Sequence, residues 1–210
     1  MSLFPRRAQL LIILLLTLTF PSHAETNQDV KPYSIDLISG LTLIDITPKD
    51  KEPPVTNLSA TIQTSFSYNL THWLSLDTGL TLFNEVTSRD SDIAGYYTTT
   101  IKVHTAHLGG QVYLPITEIF GSYVRLGGVY YRVKLSVEES FNNIKESGRD
   151  SATDYGQGYY YAIGFSLNPE QKIKLRFEYQ YQNLLDVFSD SSRPFDISCQ
   201  SIVVGAGILF

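Results

Sequence analysis

The chain has 210 residues, a formal charge of −5 at neutral pH, 14 tyrosines, 14 glycines, 11 phenylalanines and one cysteine. The acidic balance argues against a nucleic-acid partner, because phosphate backbones are bound by an excess of Lys and Arg. The lone Cys199 rules out an internal disulfide framework, and so many aromatics and glycines favour strands and tight turns over helices.

Met1–Ala24 reads as a secretory signal peptide. Arg6 and Arg7 are its basic start, Leu10–Phe20 its apolar core and Ser22-His23-Ala24 its cleavage pattern. Cleavage there would leave residues 25–210 as a single domain. No later stretch approaches the ~18 consecutive apolar residues that a membrane-spanning helix needs. Far from the cleavage site, Cys199 is expected to be a small buried side chain.

From Tyr33 onward a two-residue alternation recurs eight times, the period of a strand with two unlike faces. It runs through Tyr33–Leu43, Leu58–Leu70, Leu74–Leu82, Tyr96–Leu114, Tyr123–Val137, Tyr159–Leu167, Ile173–Tyr181 and the final run to Phe210. Ile173–Tyr181 is the cleanest. Ile173, Leu175, Phe177, Tyr179 and Tyr181 share one face, and Lys174, Arg176, Glu178 and Gln180 the other. Elsewhere the polar face is small or hydrogen-bonding, as in Leu58–Leu70. A bulky apolar face opposite a polar one suits an eight-stranded antiparallel up-and-down transmembrane β-barrel, with lipid outside and polar groups inside. A soluble lipocalin-like barrel would have the reverse polarity. Two segments lose phase, Tyr123–Val137 across Gly127-Gly128 and Tyr96–Leu114 near Thr105-Ala106. Both are expected to hold β-bulges or glycine kinks.

Links alternate in length. Leu70–Trp73, Pro115–Ile119 and Asn168–Gln171 are short; Asp45–Asn57, Asn84–Gly95, Glu138–Tyr155 and Asp186–Phe195 are long and polar. That pattern predicts periplasmic turns, extracellular loops and both termini in the periplasm of a bacterial outer membrane. Ile202, Val204, Ala206, Ile208 and Phe210 share one parity. This ending resembles the signal that outer-membrane barrels present to their assembly machinery.

Pro115-Ile116-Thr117, Tyr123-Val124-Arg125-Leu126-Gly127-Gly128 and Arg132 resemble the transmembrane domain of the outer membrane protein A family. So do Pro169-Glu170 with Arg176-Phe177-Glu178-Tyr179-Gln180, and more weakly Leu76-Asp77-Thr78-Gly79. The resemblance covers about half of the chain after the leader and implies an eight-stranded barrel with long surface loops and an occluded, charged lumen. Asp77 and Arg176 match interior charged positions of that family, while Gly164 stands where the family carries an interior glutamate. With the chain stopping at Phe210, the resemblance is to the barrel-only relatives associated with adhesion, serum resistance and colonisation.

Parity places Asp77, Lys174, Arg176 and Glu178 inside, with Arg125 beside them, and charges withdrawn from water must pair. A lumenal ion-pair network of these five is therefore expected, with Asp77 and Arg176 as candidate partners. No catalytic site is expected. His72, His104 and His107 lack the His-x-Ser spacing of the lipid A deacylase family, and no Gly-x-Ser-x-Gly elbow occurs. No metal site or cofactor is expected, since the acids of Asp90-Ser91-Asp92 and Asp186 with Asp190 lack calcium-loop spacing. A surface role is assigned to the loops, with Phe141, Lys145, Arg149 and Tyr155 as contact residues. The expected partners are outer-membrane lipid and lipopolysaccharide, the assembly machinery, and a host surface or matrix protein, bound by a monomer. The alternatives are a lipid-A-modifying enzyme and a narrow ion-conducting pore.

Overall fold

A computed structural model describes residues 31–49, 53–91, 95–141, 147–170 and 172–210. The leader, Lys145 and Asp92 lie outside these residues. The strands are β1 (Tyr33–Pro48), β2 (Val55–Asn69), β3 (Leu74–Phe83), β4 (Val86–Ser91), β5 (Gly95–Pro115), β6 (Phe120–Phe141), β7 (Ser147–Glu170), β8 (Ile173–Val187) and β9 (Phe195–Leu209). All neighbours are antiparallel, β1 pairs with β9, and β3 pairs with β5 to close the sheet. β3 lines β5 as far as Leu82↔His104, and β4 resumes at Val86↔Ile101. These two form one wall, so the ring has eight strands.

Two of the three tight turns use the same local device. In Leu70–Trp73 the Thr71 hydroxyl accepts from the backbone N–H groups of Trp73 and Leu74 at 3.2 and 2.9 Å. In the turn before β6 the Thr117 hydroxyl accepts from Phe120 N–H at 3.0 Å. A threonine at these positions satisfies donors that the reversal would otherwise strand. The start of β1 and the end of β9 meet at this turn end of the barrel, where Phe210 and Tyr33 exchange main-chain bonds of 2.9 and 3.0 Å.

The large apolar side chains face out. Leu108 is 67% exposed and Leu126 62%, whereas Arg125, between strands on the other face, is fully buried. This polarity is that of a barrel solvated by lipid and is the opposite of a lipocalin.

Two expectations are corrected. The first concerns the lost phase. The β5–β6 ladder runs from Gly95↔Phe141 to Pro115↔Gly121, and β6–β7 from Phe120↔Leu167 to Ser140↔Ser147, without a register shift. No bulge lies at Gly127-Gly128 or Thr105-Ala106. Odd-numbered residues point inward along the spanning length of β5 and β6. What changes is the lumen, which is ionic around Arg125 and apolar around Val103, Val129, Tyr131 and Val133. The shifts that do occur lie at Leu167/Glu170 and at Leu184/Val187. Beside the second, Asp186 and Phe188 adopt φ of 56° and 55°.

The second correction concerns the loops. Much of Asn84–Gly95 and Glu138–Tyr155 is strand, because β4 fills the former and β6 and β7 run far into the latter. β5, β6 and β7 have 21, 22 and 24 residues, about twice the ~9–11 needed to cross a bilayer. Their outer portions carry Ser, Thr, Glu and Arg on both faces, so alternation vanishes while the ladder continues.

Gly127 and Gly128 separate the two sides of the wall. A Cβ on Gly127 would meet the Leu108 carbonyl, stand 2.5 Å from Gly109 Cα and 2.8 Å from the Tyr160 ring, whereas one on Gly128 meets nothing within 4 Å. Gly127→Ala is expected to destabilise the barrel by about 1–3 kcal/mol through overpacking, and Gly128→Ala to stay within about 0.5 kcal/mol. Urea unfolding followed by gel mobility measures both; equal effects would show that the two glycines do not face different environments.

Candidate functional site

The lumen gathers charge from strands far apart in sequence. Arg125 on β6 donates to Glu178 Oε1 and Oε2 on β8 at 3.0 and 3.1 Å and pairs with Asp77 on β3. Arg176 on β8 donates to Asp36 on β1 at 2.8 Å and to Glu178 at 2.9 Å. Lys174 lies 2.9 Å from Asp36 and donates to Ser34 at 3.0 Å. His107 Nε2 on β5 stands 2.9 Å from Asp77 Oδ2. The result is a chain of alternating sign, Lys174–Asp36–Arg176–Glu178–Arg125–Asp77–His107, in which three carboxylates alternate with Lys174, Arg176 and Arg125.

Aromatic rings complete the packing. Arg176 lies over Tyr123 at 4.6 Å and donates to its hydroxyl at 3.0 Å, and Arg125 lies over Tyr160 at 5.6 Å. Room for these rings comes from glycines on facing strands. A Cβ on Gly164 would stand 2.6 Å from Tyr123 Cζ, and one on Gly79 2.6 Å from His107 Cε1. The space beside Gly164 is thus occupied by the Tyr123 ring.

All five charged residues expected in the lumen, Asp77, Arg125, Lys174, Arg176 and Glu178, lie in this one cluster. Asp77 and Arg176 are not direct partners: Asp77 bonds Arg125, His107 and Ser67, and Arg176 bonds Asp36 and Glu178. Sequence reasoning missed Asp36, His107, Gln111, Tyr123 and Tyr160. Asp36 was findable, since it shares parity with Ser34 and Thr42 on β1. His107 was obscured by the assumed phase switch two residues before it.

Above the ions lies a polar layer, where Thr105 donates to Gln182 at 2.9 Å and Thr42 and Ser201 hydroxyls meet at 2.7 Å. Beyond it the lumen closes on an apolar cluster that includes Ile44, Phe83, Tyr131, Val133, Leu184, Ile197 and the buried Cys199. Tyr131 fixes its hydroxyl on the Leu185 carbonyl at 2.8 Å. Ser67, Asp77 and His107 have the composition of a hydrolytic set, but Ser67 donates to Asp77 at 3.0 Å rather than to the imidazole. The imidazole is bonded to the other carboxylate oxygen, at 2.9 Å from Asp77 Oδ2, so the hydroxyl, carboxylate and imidazole are not in the order of a nucleophile–histidine–acid triad.

The other expected residues lie elsewhere. Ile202, Val204, Ala206 and Ile208 face out along β9, and Phe210 packs against Tyr33 at 5.8 Å between ring centroids. Arg149 pairs with Glu138 across β6–β7 at 3.2 Å. Tyr155 points outward beneath Arg132, whose guanidinium lies 5.8 Å from its ring. Phe141 ends β6 opposite Gly95. Among the described residues, Arg149 and Tyr155 lie on separate rungs of the β6–β7 ladder, opposite Glu138 and Arg132. At the loop end, Lys49 donates a hydrogen bond to the Asp186 carboxylate, which raises the pKa of its ammonium from the ordinary value.

The sequence profile of the outer membrane protein beta-barrel domain matches residues 12–210. No curated protein matches the chain. Among solved structures, Neisserial surface protein A has a TM-score of 0.60 at 9% identity, over 85% of this chain and 97% of that one. Ail, the attachment invasion locus protein of Yersinia pestis, in complex with the heparin analogue sucrose octasulfate, has a TM-score of 0.50 at 15% identity, over 85% and 99%. At such identities the likeness is one of fold.

Three measurements test the lumen. Arg125→Ala is expected to cost about 3–5 kcal/mol by leaving Asp77 and Glu178 short of a partner. A double-mutant cycle should couple Asp77 with Arg125 more strongly than with Arg176. Equal coupling in the two cycles would contradict the order of the chain. In planar bilayers the apolar cluster is expected to deny steady current to the wild type, and Tyr131→Ala combined with Leu184→Ala should raise it.

Proposed function

This chain belongs to the outer membrane protein β-barrel family, and we propose that it acts at the cell surface by binding a macromolecule outside the membrane. Tight turns in such barrels face the periplasm and long connections face outward, which puts the tall ends of β5, β6 and β7 outside the cell. One observation carries the reading. β7 is paired to β6 up to Ser140↔Ser147, but its pairing with β8 begins only at Gly158↔Leu184. Among the described residues, 147–157 of β7 are therefore laddered on one side only; Asp154 accepts from Phe188 N–H at 2.6 Å in the connection after β8, and the stretch before it, 147–153, is the open edge. An open edge in an exposed position is a template for strand addition, and a rigid barrel below holds it in place.

Attachment to a host surface or matrix protein, by a monomer and without catalysis, is the role this edge supports. The filled lumen supports it too, since neither a substrate cavity nor a conducting path is offered by an ion chain capped with apolar side chains. The outward face of Ile202, Val204, Ala206, Ile208 and Phe210 supports a recognition role for β9 in assembly, where a lipid-facing aromatic at the rim also serves as an interfacial anchor.

Shortening the β6–β7 hairpin tests the proposal. Replacing residues 135–152, which the β6–β7 ladder pairs at Leu135↔Ala152, with a two-residue turn removes most of the open edge and should leave the gel mobility shift on heating intact while reducing attachment to immobilised matrix protein at least tenfold. Full attachment by the shortened barrel would remove the hairpin from the function and leave an envelope-structural role.

A further inference from the structure

The outer wall of the barrel carries a second feature that adhesion does not use. Climbing the β5–β6 ladder, the outward pairs run Leu108↔Gly128, Ala106↔Tyr130, His104↔Arg132 and Lys102↔Lys134. The first two pairs belong to the apolar and aromatic belt. The next two place four basic side chains opposite one another on adjacent rungs, about 7 Å apart along the strand. Lys102 and Lys134 stand directly across the ladder, where like charges repel, with Arg132 and the His104 imidazole on the next rung, and in a chain of net charge −5 such a concentration is unexpected unless an anion lies between them. Only part of it is neutralised internally. Lys102 pairs with Glu85, and Arg132 is steadied over the Tyr155 ring; the nearby Glu138 is engaged by Arg149. The corresponding outer faces of β8, β9 and β1 carry Asn183, Gln200 and Asp45 instead, with Gln200 donating to Asp45 at 3.3 Å.

The height of the patch decides what it meets. Below it, Tyr130, Tyr159, Tyr161 and Tyr181 form an outward aromatic band, with Tyr161 and Tyr181 stacked at 5.0 Å, and such bands mark the level where acyl chains give way to head groups. Cations one and two rungs above that level lie among head-group phosphates, where basic residues near a membrane surface bind anionic lipid. We propose that His104, Arg132, Lys102 and Lys134 bind the phosphorylated sugar head group of an outer-leaflet glycolipid, whose acyl chains lie against Leu108, Leu126 and Ile163. A guanidinium grips phosphate oxygens in pairs and an ammonium neutralises them as a point charge. Two rungs of cations suit a head group with two phosphates better than a single one.

The barrel in phosphatidylcholine nanodiscs, titrated with bisphosphorylated lipid A and read by native mass spectrometry, tests this. Binding is expected to weaken at least tenfold with monophosphoryl lipid A, with phosphatidylglycerol, and in the Arg132→Gln/Lys134→Gln double variant. Lys49→Gln, on the opposite wall, should bind like wild type. Because the four side chains point outward, the ladder survives these changes, and the mass readout counts lipid on folded barrel alone. Equal binding by the double variant, equal binding of phosphatidylglycerol, or displacement of lipid A by inorganic phosphate at millimolar concentration would each overturn the proposal.

Discussion

Arg125 and Arg176 are fully withdrawn from water, and a guanidinium in that position persists only when carboxylates meet it from other strands. Asp36, Asp77 and Glu178 do so from β1, β3 and β8, and the barrel must close for that meeting to happen. The ring and its charges are therefore mutually dependent. Backbone pairing brings the three walls together, and the ion chain specifies which register of those walls is acceptable. A one-residue slip of β8 would send Arg176 and Glu178 into lipid and put Leu175 and Phe177 among the carboxylates. Glycines at 79, 127 and 164 enforce the same register sterically, because each receives a ring or backbone from a neighbouring strand.

Along its axis the barrel passes between two solvents, and its side chains follow. At the turn end and mid-height the outside is apolar and the inside ionic. At the loop end the outside becomes polar, with His104, Arg132 and Asn183, while the inside becomes a small hydrophobic core around Tyr131, Val133 and Ile197. The upper third is built like a soluble barrel and the lower part like a membrane one, on the same continuous strands. This exchange accounts for the sealed lumen and for Cys199, a thiol that packs as a small apolar group.

The architecture was legible because lipid imposes a strict two-residue code on each strand. Ile173–Tyr181 and Leu58–Leu70 obey it throughout. Where the code seemed to break, in Tyr123–Val137, the strand itself was regular and the surroundings had changed, a distinction that hydrophobicity alone cannot make. Polar strand ends such as Glu138–Ser140 were read as loop for a related reason. With water on both faces nothing selects for alternation, and only the ladder to Ser147–Arg149 reveals the strand. The charged lumen was legible by parity and by family resemblance, but the partners were not. Parity says that Asp77 and Arg176 face inward; which of several inward cations Asp77 meets depends on strand tilt around the ring.

The junction of β1 and β9 has a mechanical character distinct from the rest of the wall. Tyr33 and Phe210 lie side by side, and the ladder continues from Ser34↔Leu209 up to Pro48↔Phe195. A force that drew these two ends apart would load one rung at a time and peel the seam upward from the turn end. The same force applied between opposite ends of neighbouring strands would load many rungs at once in shear. The closed barrel thus has one direction in which it opens like a zip, and that direction starts where its first and last strands meet.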